Sequence, residues 1–274
     1  MRSETAIFAA SVKHLNARDK LPILFHAGAI LAVDKPAGLA VIPGRGESDT
    51  VLERLAAQLA LPWTGTADPR VRVVHRLDKE TSGVLLYATD VAAQRHLSHQ
   101  FQSNTISKEY LALVAGRPET EEGEIESPIG PHPTVKQRMI VTKHGRPSLT
   151  RWKIEQRLGD WTLLRVFPKT GKTHQIRVHL KSIGLPLAVD SIYNPPREGA
   201  PIGMWLSQFK RDYRPSRGEE ERPLISRLTL HAHRLTFVDQ SGQTQTIESP
   251  PPKDFRAVVK QLARHASAPR RAKS

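Results

Sequence analysis

The sequence predicts an α+β fold with a mixed, mostly antiparallel sheet. Short strand-like apolar runs recur along the chain, and only a few helix-periodic segments interrupt them. Leu149–Glu155 and Trp161–Phe167 read as a hairpin across the Gly159-Asp160 turn. The regular strand–helix alternation of a doubly wound parallel sheet is missing, and there is no internal repeat.

The elements follow in order. Residues 1–20 show no periodicity and are expected to be an N-terminal extension. Ile30–Val33 and Leu39–Val41 read as two short strands around the turn Asp34-Lys35-Pro36-Ala37-Gly38. Asp49 or Thr50 caps a helix from Val51 to about Ala60, with Leu52, Leu55 and Leu59 on one face. Val71–Val74 and Val84–Ala88 are strand-like, with a dense polar stretch between them. Asp90 caps a helix to about Gln102, and Tyr110–Ala115 is a strand.

Gly130–Arg146 is polar, punctuated by Pro and Gly, and carries Lys136, Arg138, Lys143 and Arg146. Lys172 to about Ser182 reads as a helix that Gly184 and Pro186 end. Asn194–Arg222, rich in Pro, Gly and charge, reads as an insertion or mobile loop. Leu228–Val238 is a strand, Phe255–His265 a helix, and 266–274 a basic disordered tail. The expected organisation is one domain over 21–265, with a loop insertion at about 194–222.

Composition narrows the function classes. The chain has 274 residues, with 41 Lys and Arg against 27 Asp and Glu, a net charge of +14. That balance favours a polyanionic partner, nucleic acid above all. Cysteine is absent, which excludes disulfides, thiolate metal sites and a cysteine nucleophile. No apolar run approaches the ~18 residues of a membrane span. A cytoplasmic location, with no membrane partner, is expected.

Several motifs fail on inspection. Gly171-Lys172-Thr173 resembles the end of a P-loop, but Val166 stands where that motif demands glycine. Gly44-Arg45-Gly46 opens a dinucleotide fingerprint that Asp49 breaks. His96 with His99, and His231 with His233, have no carboxylate at a familiar metal-ligand spacing. Asp78 and Glu80 form a carboxylate pair of the kind glycosidases use, a reading that leaves the basic charge unexplained.

Two stretches carry chemistry. His75-Arg76-Leu77-Asp78-Lys79-Glu80-Thr81-Ser82-Gly83 crowds charged and hydroxyl groups between apolar flanks that would hold Asp78 in place. In Lys169–Leu180, helical spacing sets Thr173, Ile176, Arg177 and Leu180 on one face. Arg177 is then partly buried and wants a carboxylate, for which Asp78 is the natural candidate.

The His75–Gly83 run resembles the signature of the RluA-type family of RNA pseudouridine synthases. The resemblance continues, in the family's order, through Leu31–Gly38, Lys108-Glu109-Tyr110, Thr170–Leu180 and Leu230-His231-Ala232. It spans roughly residues 28–240. It implies a cofactor-free enzyme, without metal, that isomerises uridine to pseudouridine in ribosomal or transfer RNA.

The implied fold is one catalytic domain on a long, mostly antiparallel bent sheet with a central cleft flanked by helices and loops. Asp78 matches the essential aspartate and Tyr110 the tyrosine that stacks on the target uracil. Arg177 matches the basic residue that pairs with the aspartate. Arg76 is similar to the residue that fills the gap left by a flipped base, and Leu230 to an apolar residue packing on the uracil. The target base must leave its stack to react, at a cost of a few kcal/mol. A tyrosine platform returns ~1–3 kcal/mol per stacked base.

The chain departs from the pattern at Leu185 and Ala188 in the run Gly184–Asp190, and the S4-like module of many relatives is not expected. The Gly130–Arg146 stretch is similar to a loop that grips RNA. A catalytically silent RNA-binding protein of the same fold is the alternative. A monomer is expected.

Overall fold

The computed structural model describes residues 19–44, 49–62, 69–210, 212–215 and 218–265. The expected extension up to residue 18 and the tail 266–274 lie outside the described residues. The chain divides into two compact units: one runs to Ser107 and regains Arg234–Ser249, and the other holds Lys108–His233 and Pro250 onward.

The first unit opens with a hairpin of β1 (Ile23–Ala27) and β2 (Ile30–Lys35). Ala27 faces Ile30, so the loop has two residues, and Gly28 takes the first at φ 55°. Helix α1 (Val51–Leu59) is capped by Thr50, whose hydroxyl accepts from the Glu53 N–H at 3.3 Å. Strands β3 (Arg72–Val73) and β4 (Ser82–Ala88) follow, and Asp90 caps α2 (Val91–Gln102) through the Ala93 N–H at 2.7 Å.

One expected strand is absent. Leu39–Val41 makes only an isolated bridge, Ala40 to Thr50. Leu39 and Val41 are buried beneath Leu52 and Leu55 of α1, and β2 takes its partner from upstream in β1.

The second unit carries β5 (Ser107–Ala115), β6 (Glu122–Glu126), β7 (Ile129–Pro131), β8 (Met139–Val141), β9 (Leu149–Leu158), β10 (Trp161–Pro168) and α3 (Gln175–Ser182). Strand β11 (Leu230–Val238) gives its first four residues to this unit and the rest to the first. Then come β12 (Thr244–Glu248) in the first unit and α4 (Lys253–His265) in the second.

The architecture is α+β, as expected. Strand order is β1-β2-β4-β11 in the first unit, with β3 on β4 and β12 on β11. In the second it is β11-β5-β10-β9-β6. The pairs β1–β2, β2–β4, β5–β10, β9–β10, β6–β9 and β11–β12 are all antiparallel. The β9–β10 hairpin turns at Gly159-Asp160, where Leu158 faces Trp161.

Alternation along β5 divides two cores in the second unit. Ala112 and Val114 pack with Leu164, Ile176, Leu180 and Leu230. Leu111 and Leu113 pack with Phe255, Val258 and Leu262 of α4. The stretch expected to be an insertion is packed in part: Met204 and Ile225 are buried in this α4 core, and Phe209 stands edge-on to Trp161. The basic Gly130–Arg146 stretch contains the β7–β8 hairpin, anchored by Ile129 against Val178 and Tyr193. Gly145 lies so close there that a Cβ would meet the Ile129 backbone at 2.5 Å.

Candidate active site

The Asp78 turn begins where the ladder between β3 and β4 breaks off. After Val73, the next bond to β4 is made by a side chain: the Leu86 N–H donates to Nε2 of His75 at 2.9 Å. The His75 ring stacks on Phe101, with centroids 4.3 Å apart. The backbone is thereby released from the sheet without losing its anchor. Leu77 packs into the core under α1, and the Thr81 N–H closes the turn on the Asp78 carbonyl at 3.1 Å.

Lys35 holds this turn from below. Its side chain is wholly buried at the end of β2, and its ammonium donates to the carbonyls of Pro36, Lys79 and Thr81 at 2.8, 2.7 and 2.8 Å. Three acceptors satisfy its three protons, which offsets the cost of burying the charge. The Gly38 N–H adds a bond to the Lys79 carbonyl at 2.9 Å. The backbone around Asp78 is thus pinned while the Arg76 side chain is exposed and Asp78 is half-exposed.

In the second unit the structure brings Tyr110, Leu230 and the Arg177 helix together. Tyr110 is half-exposed and packs on the cluster that contains Leu230, Ile176 and Leu180. Arg177 is buried, as its apolar neighbours predict. Asp190 grips it in a two-pronged pair, Nε to Oδ2 and Nη2 to Oδ1, both at 2.8 Å. Asp190 Oδ1 also accepts from the Ile192 and Tyr193 N–H groups at 2.9 and 3.0 Å. Burial pushes this carboxyl up, but the Arg177 bonds and charge and the two N–H groups outweigh it and hold it below the usual range. The Arg177 guanidinium also lies 5.0 Å from the centre of the Tyr193 ring.

Helix α3 starts at Gln175, later than the expected Lys172, because the preceding residues form a tied turn. Gln175 Oε1 accepts from the Thr170 hydroxyl at 2.7 Å and the Lys172 N–H at 3.0 Å. Its Nε2 donates to the Leu149 carbonyl and the Thr150 hydroxyl at 3.0 and 2.9 Å. Thr150 passes the chain to Nδ1 of His179 at 2.9 Å, and His179 Nε2–H donates to the Ser127 carbonyl at 2.9 Å. Burial holds the His179 imidazole below its ordinary value, against the opposing Ser127 bond. Thr173 therefore lies before the helix, and all of Gln175–Leu180 is buried instead of one stripe.

No sequence motif assigns a role to Lys35, Gln175, His179 or Tyr193, and Asp190 appears in sequence only as the end of the Gly184–Asp190 run. Lys35 was visible as a charge closing an apolar strand, and Gln175 with His179 as an i, i+4 pair on α3. The histidines tested for metal have other tasks, His96 Nε2 bonding the Val238 carbonyl at 2.7 Å. Among the described residues no group of three His, Cys, Asp or Glu could hold a metal, and no helix is long and apolar enough to cross a membrane.

A family model described as RNA pseudouridylate synthase matches residues 29–182. A ribosomal large subunit pseudouridine synthase D of Nitrosomonas europaea is 38% identical over 247 residues, 88% of this chain and 65% of that protein. An uncharacterized RNA pseudouridine synthase of Chloroflexus aurantiacus is 37% identical over 236 residues, 85% and 67% of the two chains. A protein of Neisseria meningitidis with the same name as the first is 36% identical over 238 residues, 86% of this chain and 59% of that protein. The chain thus spans about three fifths to two thirds of these relatives' length. The solved structure of human RNA Pseudouridylate Synthase Domain Containing 4 superposes with a TM-score of 0.64 at 25% identity, covering 88% of this chain and 92% of that one.

Proposed function

The chain belongs to the RNA pseudouridylate synthase family, and from that membership we propose that it isomerises uridine to pseudouridine within RNA. The bond from C1′ to N1 of uracil breaks, the base turns, and C1′ joins C5. N1 gains a proton, and C5 loses the hydrogen it carried. Relatives named for the large ribosomal subunit favour ribosomal over transfer RNA as the substrate.

Asp78 is the catalytic carboxylate in this reading. The observation that carries it is the pinned turn: a buried ammonium and the His75 ring immobilise the backbone while the Asp78 and Arg76 side chains reach solvent. A carboxylate on so rigid a mount loses little freedom when it meets substrate. Arg76 fills the space of the everted base by stacking and hydrogen bonding. Tyr110 is the stacking platform, and Leu230, in the same cluster, packs against the uracil. Arg177, fixed by Asp190, is the oriented cation of the substrate site.

The test is tritium release from 5-tritiated uridine in cellular RNA, with ribosomal and transfer RNA assayed separately. The wild-type chain releases tritium from ribosomal RNA, and Asp78→Asn lowers the rate by at least ~10²-fold. An Asp78→Asn variant of full activity, or a wild-type chain inactive on every RNA, overturns the reading.

A further inference from the structure

The mechanism leaves one basic cluster of the second unit unused. Lys108 lies on β5 two residues before Tyr110, so both side chains stand on the same face of the strand. Its half-buried ammonium donates to the Thr170 carbonyl at 3.1 Å and lies beneath Gly171, where a Cβ would approach it to 3.9 Å. Lys169 and Lys172 sit in the same turn, exposed and half-exposed. The turn is held by Gln175, and by the Lys169 N–H on the Leu149 carbonyl at 2.9 Å. Three ammonium groups therefore converge on a rigid turn that is open to solvent.

Among the described residues none of the three lysines has a carboxylate partner. Glu109 points to the opposite face and is taken by Arg165, which also holds Glu155. From β11, His231 lies against Phe255 and His233 acts on Glu155, both on that opposite face, while Leu230 faces the Lys108 side. Burial, and then the charges of Lys169 and Lys172, push Lys108 down to about 8. Like charges held together at a cost, with two Lys108 protons beyond the Thr170 bond, call for an anion.

We propose that Lys108, Lys169 and Lys172 form a seat for one phosphodiester of the RNA strand, the one flanking the nucleotide that stacks on Tyr110. The two residues from Lys108 to Tyr110 advance about 6.8 Å along the strand, within the reach of one nucleotide. The ligand class rests on the pseudouridine synthase reading. The seat determines which neighbouring phosphate is clamped when the base turns outward, and so sets register along the RNA.

The test measures binding of a uridine-containing single-stranded RNA by the full chain across a salt series. Lys108→Met, Lys169→Gln and Lys172→Gln combined make the slope of log affinity against log salt shallower by about 0.7, the signature of one lost phosphate contact, and Lys172→Gln alone makes it shallower by part of that amount. Lys260→Gln, at an exposed position on α4, leaves the slope unchanged. Between pH 7 and 9 wild-type affinity falls up to about tenfold as Lys108 loses its proton, whereas Lys108→Arg stays flat. An unchanged slope in Lys172→Gln, or equal pH profiles for wild type and Lys108→Arg, overturns the seat. Tritium release intact in such variants leaves the enzymatic reading standing, and lysine-dependent binding without isomerisation overturns that reading alone.

Discussion

Arg177 shows how a residue's surroundings set its worth. The apolar residues beside it in sequence foretold its burial, and Asp190 makes that burial tolerable. A buried pair contributes little net stability, yet removing one partner strands the other charge in the interior. Asp190→Asn is therefore expected to destabilise the chain by about 3–5 kcal/mol, read as a lowered urea midpoint. A loss below about 1 kcal/mol shows that the guanidinium is not held as described. Asp78 stood out in sequence as a carboxylate in a dense polar stretch between apolar flanks, whereas Arg76 and Tyr110 took their roles from the family resemblance. Lys35 carried the same kind of signal, but three backbone carbonyls form its partners, and no residue type announces a carbonyl.

Helix α3 is the element on which the second unit's candidate residues depend, and a polar chain from Thr170 to Ser127 secures it. His179 must stay neutral in that chain, because its Nδ1 accepts from Thr150. Unfolded, the ring binds a proton near pH 6.5; folded, its pKa is depressed. The contribution is thus complete above about pH 6.5 and is lost as pH falls, by up to about 1.4 kcal/mol per unit. The stability advantage of wild type over His179→Gln should shrink from pH 7 to pH 5 in thermal melts. A constant advantage contradicts a neutral buried imidazole. The strands missed in the sequence share a property. β1 and β6 end the strand order, and β12 pairs only with β11. Edge strands need little apolar surface, so segments such as Glu122–Glu126 and Thr244–Glu248 show none of the pattern that marked β4 or β10.

For the whole molecule, the +14 charge is the property most plainly tied to RNA. If six or more phosphates are contacted, affinity of the Asp78→Asn chain for single-stranded RNA should fall at least ~300-fold between 50 and 200 mM salt. A loss under about tenfold removes the electrostatic basis for substrate binding. Composition, hydrophobic period and the ordered motifs were enough to reach the α+β class and the family, because each is written in neighbouring residues. The choice of Asp190 for Arg177, the lysine beneath the Asp78 turn and the packing of Met204 against α4 came from three dimensions alone. Coulomb attraction and desolvation act over a few ångströms of space, and sequence distance does not limit them.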